Sequence, residues 1–236
     1  MPQVSRPEKT NDTLAFINFA FYESFFSNYI EGTTFRVDEA EKIVFDGAII
    51  PMRREDSHDI SGTYNICSDR EDMSTVANSK EEFLQILKRR HASIMQARPE
   101  KLPGKFKVNA NRAGNTYFVM PKDVIGTLEA GFDIIAGIPS PLARALYMMF
   151  LISEVHPFED GNGRVARLMM NAELTAAGQA KIIIPTVYRD DYLLNLRRLT
   201  RKHQPQPYIR MMDRAHAFSH WLEPKNYNAL KEQLEE

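Results

Sequence analysis

The chain has 236 residues, long enough for one large domain or one domain with an appended lobe. A hydrophobic share of 43%, a charged share of 26% and a formal net charge of −1 describe ordinary globular material, with no global case for nucleic acid or an anionic membrane. A lone cysteine, Cys67, excludes an internal disulfide; with no apolar leader and no apolar run of membrane-spanning length, the expectation is a cytoplasmic protein without membrane or nucleic-acid contact.

Met1–Thr10 reads as a flexible lead. Asn11 or Asp12 is placed to cap a helix over about 13–32, in which Leu14, Ile17, Phe21, Phe25 and Tyr29 recur at helical spacing and Gly32 offers a left-handed stop. Glu31 stands at the C-terminal end of that helix, where the dipole disfavours a carboxylate unless a cation answers it. A short helix is expected over Val37–Ile43 and an extended or turning segment over Val44–Pro51. The cluster Arg53, Arg54, Glu55, Asp56, His58 and Asp59 reads as a solvated loop or connector, without the paired histidine spacing of a zinc site. Cys67 reads as a small buried residue, and Asp69–Asn78 as a polar connector.

Ser79 and Glu82 form a capping-box pattern ahead of Phe83, Leu84, Leu87, His91, Ile94 and Met95, the apolar face of a helix running to about Ala97. Lys105–Met120 alternates like a β-hairpin turning at Asn111–Asn115, which must lean on helices to be stable. A helix follows from Lys122 to about Ala136. Ser140-Pro141 then opens another, apolar on nearly every side from Ala143 to Ile152 and therefore predicted to be buried. Beyond a helix over Asn162–Ala177, further helices over Tyr188–Leu199 and Tyr208–Trp221 and a charged tail helix from about Pro224 complete a mainly α-helical single domain. The basic run Arg197–His203 lacks a helix-turn-helix context and reads as a solvated helix end.

The densest chemistry lies in His156-Pro157-Phe158-Glu159-Asp160-Gly161-Asn162-Gly163-Arg164-Val165-Ala166-Arg167. Gly161 and Gly163 permit backbone angles that let successive N–H groups converge on an anion, at a helix start whose partial positive charge favours phosphate. Arg164 and Arg167 leave the first turn of that helix as bidentate donors to phosphate oxygens. Asp160 is a hard oxygen ligand suited to Mg²⁺ already held by phosphates, and His156 is the natural proton acceptor for an incoming hydroxyl.

This run resembles the signature of the Fic family, H-P-F-x-D/E-G-N-G-R-x-x-R, at every fixed position. Leu102-Pro103-Gly104-Lys105-Phe106-Lys107 resembles the segment that precedes the active site in that family, and Ser27-Asn28-Tyr29-Ile30-Glu31-Gly32 resembles its inhibitory motif. The resemblance covers roughly Leu14 to Phe218 and implies a single-domain Fic-like helical bundle with a β-hairpin flap. It divides the chain into an N-terminal region with an inhibitory helix (1–68), a catalytic core (69–222) and a tail helix (223–236).

By the same resemblance the implied activity is transfer of AMP from ATP to a Tyr, Ser or Thr hydroxyl of a target protein, with release of pyrophosphate. His156 would be the base and Asp160 the ligand of Mg²⁺ bridging the α- and β-phosphates. Gly161, Asn162 and Gly163 would cradle phosphates, with Arg164 at the β- and Arg167 at the γ-phosphate, and Tyr192 would be the residue beside the nucleotide base. Glu31 would pair with Arg167 and block productive ATP binding, with Ser27 opening the same inhibitory motif. The target would dock on the 105–120 hairpin, and self-modification is implied as well. Removal of AMP, transfer of another phosphate-containing group and a catalytically silent binding module are the alternatives; Gly163 speaks against the phosphate-transferring branch, which has lysine there.

Overall fold

The computed structural model describes residues 4–235, and regular structure in it is almost wholly helical. Helix α1 (Thr13–Ile30) starts where the Asp12 carboxylate accepts the Ala15 N–H at 2.8 Å, and ends at Glu31 with Gly32 at φ 99°. Its burial is wider than the predicted stripe. Phe16, Ala20 and Ile30 face the main core, while Phe19, Phe21, Tyr22, Phe25 and Phe26 face a second apolar cluster. Leu14 falls outside both and is 68% exposed, so it leaves the face assigned to it.

Helix α2 (Val37–Phe45) is two residues longer than expected. The charged run beginning at Arg53 is not a solvated connector: it forms the first turns of α3 (Arg54–Cys67). Glu55 and Asp56 answer the dipole at its N-terminus, and Arg98 pairs with Glu55, Asp56 and Asp59 at 2.8, 3.0 and 2.9 Å. Cys67, at the end of α3, is free and buried. The supposed connector Asp69–Asn78 likewise contains a helix, α4 (Arg70–Ser74), whose Asp72 pairs with the fully buried Arg90 at 2.8 Å and with Arg89. In both corrections charges that look solvated in one dimension meet distant partners in three.

Helix α5 (Lys80–Ile94) is capped by Ser79 Oγ, which accepts the Glu82 N–H at 3.1 Å; the returning Glu82 carboxylate takes the Asn78 N–H instead of that of Ser79. The hairpin is present but much shorter than the 105–120 alternation suggested: β1 (Arg112–Ala113) pairs antiparallel with β2 (Thr116–Tyr117) around Gly114-Asn115. Residues 105–111 form no strand because their backbone is claimed elsewhere. Lys107 N–H donates to Pro157 O at 2.8 Å, and the N–H groups of Val108 and Asn109 donate to Glu159 Oε1 at 3.0 and 3.3 Å.

Helix α6 (Val124–Ala136) leads to α7 (Pro141–Val155), capped by Ser140 and buried along its length as its composition predicts. Helix α8 (Asn162–Ala176) packs along α7, and α9 (Arg189–Lys202) and α10 (Pro205–Trp221) close the main core around them. The tail helix α11 (Tyr227–Glu235) brings Leu230 into the second cluster beside Phe21 and Ile43. None of the helices among the described residues is long and apolar enough to cross a membrane.

His216, buried on α10 with Arg6 donating to its Nδ1 at 3.1 Å, is held neutral; burial and the Arg6 charge lower its pKa from 6.5 to about 4. The unfolded chain therefore binds the extra proton across that interval. The stability it contributes is complete above pH 6.5 and lost as pH falls toward 4. Thermal unfolding followed by circular dichroism should show the midpoint dropping through this window, with a shallower drop in His216→Asn.

Candidate active site

The buried rod α7 delivers His156 as its C-terminal cap, in a left-handed conformation with φ 50° and ψ 59° that turns the chain out of the helix. The imidazole is oriented by two contacts. Its Nδ1 lies 3.3 Å from Ser153 O, an atom that can only accept, so Nδ1 carries the proton and Nε2 keeps its lone pair. Its face is covered by Phe118 from the flap, with ring centroids 3.8 Å apart and planes 5° apart. Burial lowers its pKa from 6.5 to about 4, partly offset by the Ser153 carbonyl, so the ring is a neutral base at physiological pH.

The loop after His156 is stiffened from within and from the side. The Asn162 side chain accepts the Phe158 N–H at 2.8 Å and donates to Phe158 O at 2.9 Å, and Asn111 Nδ2 donates to the carbonyls of His156 and Phe158 at 3.3 and 2.9 Å. Gly161, at φ 73°, then starts α8, whose first N–H groups have no acceptor within the helix. Gly161 N–H donates to Asp160 Oδ1 at 2.6 Å, and the Asp160 side chain is 44% exposed.

The two arginines part company. Arg167 Nη2 donates to Glu31 Oε1 at 2.6 Å and to Ser27 O at 2.8 Å, while its Nε donates to Ser27 Oγ at 2.9 Å. The end of α1 thus occupies three donors of this guanidinium. Gly163 makes room for it: a Cβ there would stand 2.1 Å from Glu31 Oε1. Arg164 is turned inward, 3% exposed, with Nη1 2.7 Å from Asp59 Oδ2 and Nη2 3.2 Å from Met95 Sδ. Asp59 is itself 2% exposed and shares Oδ2 with Arg98. Removing one member of such a buried set strands the others' charge. Asp59→Ala should cost about 3 kcal/mol and lower the melting midpoint by roughly 10 °C, measured by calorimetry.

One cleft of about 300 Å³ brings together Glu31, Gly163, Arg167, His156, Phe118 and Tyr192, and is walled on its far side by α9. Asp160, Gly161, Asn162 and Arg164 are not in its lining. Tyr192 is 2% exposed with its hydroxyl 3.9 Å from Met149 Sδ, so it backs the cleft wall and offers little open face to a nucleotide base. Among the described residues no group of three or more His, Cys, Asp or Glu could hold a metal. The single half-exposed Asp160 carboxylate fits only an ion supplied mainly by phosphates and water, which is the habit of Mg²⁺.

Sequence reasoning passed over several residues that build this site. Asp59 was assigned to solvent, Phe118 to a strand face, Lys107 and Asn111 to the hairpin, and His91 to an apolar stripe. Only His91, a polar ring inside an apolar helical face, carried a signal of its own.

Fold and site define a helical domain in which a neutral histidine and an arginine line one cleft beside the first turn of α8. Residues 82–174 match the Fic/DOC family. A protein adenylyltransferase Fic of Drosophila persimilis is 38% identical over 72 residues, which cover 30% of this chain and 14% of that protein. The chain thus spans a small part of the curated relatives it matches. Among solved structures, a Fic domain containing signaling protein from Bacteroides thetaiotaomicron superposes with a TM-score of 0.70 at 19% identity, covering 91% of this chain and 87% of that one. Fic-1 from C. elegans gives a TM-score of 0.67 at 19% identity, covering 91% and 62%. These two likenesses establish the fold.

Proposed function

We propose that the protein is an autoinhibited adenylyltransferase that moves AMP from ATP to a hydroxyl of a target protein and releases pyrophosphate. The observation that carries this reading is the Glu31–Arg167 pair, 2.6 Å apart in the same cleft as His156. A cation placed for phosphate is held instead by a carboxylate from α1. When Glu31 withdraws, Arg167 is free for the γ-phosphate, and the open N–H groups of α8 face the other phosphates. His156 Nε2 accepts the proton of the attacking hydroxyl as its oxygen bonds to the α-phosphorus and the bond to pyrophosphate breaks. Asp160 would hold Mg²⁺, which would neutralise phosphate charge in the bound nucleotide. Phe118 and Asn111 keep the histidine oriented, and the β1–β2 hairpin offers its edge to the target segment, a known way of holding an extended peptide. Tyr117 on that hairpin is 74% exposed, a hydroxyl available for self-modification.

Arg164 fits less well at the β-phosphate in this arrangement, because Asp59 already holds it. Its contribution is to anchor the first turn of α8 while Arg167 meets the nucleotide. The reverse activity, removal of AMP with Glu31 orienting a water, is a second reading; it draws on the Glu31 carboxylate being one-third exposed in the cleft that also holds His156.

The experiment is to incubate the Glu31→Gly protein with ATP labelled at the α- or the γ-phosphate, with and without Mg²⁺. Label passing to protein from the α position alone is expected, and its loss in Asp160→Ala. Label from the γ position means phosphate transfer, and none from either means a silent module or the reverse reaction.

A further inference from the structure

Both ring nitrogens of His91 are in use, and with opposite polarity. Gly104 N–H donates to Nδ1 at 2.9 Å, so the proton of the neutral ring sits on Nε2, which donates to the main-chain carbonyl of Asp160 at 3.0 Å. The side chain is fully buried and lies face to face with Phe158, centroids 3.7 Å and planes 2° apart. Met95, a turn further along, completes this floor: a Cβ on Gly161 would stand 2.7 Å from Met95 Sδ and 3.4 Å from His91 Nε2. The loop from Phe158 to Gly161 therefore rests on the end of α5. The same ring also fastens Gly104, three residues before Lys107, whose N–H holds Pro157 O at 2.8 Å.

We propose that His91 is a positioning residue for the anion loop. By fixing the peptide of Asp160 it aims that residue's carboxylate and the following N–H groups of α8, and it ties the loop to the segment that leads into the flap. A hydrophobic ring of similar shape would fill the space and keep the stack on Phe158, but would leave the part-buried Asp160 carbonyl without this donor and the loop free to turn. The proposal rests on the reading of the cleft as a site for ATP and Mg²⁺.

Three variants in the Glu31→Gly background separate this role from plain packing. Glutamine at position 91 carries an N–H about as far out as Nε2, asparagine an acceptor about as far out as Nδ1, and phenylalanine neither. Calorimetry gives the Mg²⁺ concentration needed for half-maximal ATP binding, transfer assays give KM for ATP, and melting midpoints report packing. His91→Gln should stay within about threefold of the parent in Mg²⁺ requirement, whereas His91→Asn and His91→Phe should need about tenfold more or beyond. The ordering should hold irrespective of the melting midpoints. Parental Mg²⁺ dependence in His91→Phe, losses in all three that simply track their melting midpoints, or failure of all three to fold would overturn the role. Absence of ATP binding in the parent with His91 intact would remove the functional reading, and the proposal with it.

Discussion

Replacing Glu31 with glycine should raise transfer of AMP, by between about fivefold and 150-fold, the span of an ordinary coupling free energy between two sites. The physical reason is competition for one guanidinium. Arg167 spends Nη2 on Glu31 Oε1 and Ser27 O, and Nε on Ser27 Oγ, so a γ-phosphate would meet a cation already neutralised and with three of its donors engaged. The Glu31 side chain is 33% exposed, so solvent screens the pair and keeps its strength below that of a buried one. Glycine removes the carboxylate and leaves the helix end intact, because Gly32 already supplies the positive φ that stops α1. The effect is graded: Ser27→Ala frees only Nε, since the Ser27 carbonyl remains, and activates less than Glu31→Gly. Arg167→Ala in the Glu31→Gly background should return the rate to or below the starting level, because the same arginine would then be needed by ATP. Rates from α-labelled ATP and nucleotide affinity from calorimetry check the series. If Glu31→Gly changes neither rate nor affinity, Glu31 is a helix-end residue only.

His156→Ala in the Glu31→Gly background should lower transfer by at least about 10³-fold, within the range for loss of a positioned base, and should change ATP affinity little. The imidazole stands apart from the proposed phosphate cradle: it leaves α7 as a cap, whereas that cradle would begin at Gly161 and the start of α8. The pH profile carries a second signature. Because burial lowers the His156 pKa to about 4, the neutral base persists well below pH 6.5, and the acid limb of kcat/KM should sit nearer pH 4. Phe118→Ala uncovers the face of the ring, so its acid limb should move back up toward 6.5. An acid limb at 6.5 in the parent, or no movement in Phe118→Ala, would show that burial under the flap does not set the protonation of this histidine. Loss of ATP binding in step with rate in His156→Ala would show the histidine to be part of the cradle.

The outline of the site was legible from the chain alone because its chemistry is local. His156 to Arg167 is a single helix-loop-helix turn, so spacing places its glycines at the helix start and its arginines on adjoining sides just after them. The buried character of α7 is likewise written in its composition, since apolar residues around the whole circumference leave a helix nowhere else to go. Glu31 stood out for a local reason as well, as a carboxylate at the negative end of a helix.

Contacts between distant segments were decided only in three dimensions. Sequence spacing sets Arg164 and Arg167 on adjoining sides of one helix, yet the first is drawn to Asp59 of α3 and the second to Glu31 at the end of α1, and both arginines are buried. The run from Arg53 to Asp59 looks solvated because its partners, Arg98 and Arg164, lie far along the chain. The hairpin shrank because Lys107, Val108 and Asn109 give their N–H groups to the loop at Pro157 and Glu159, a competition that alternation of side chains cannot register. Local propensity fixes which backbone groups seek partners; the packing of α1, α3 and α5 around α8 determines which partners they meet.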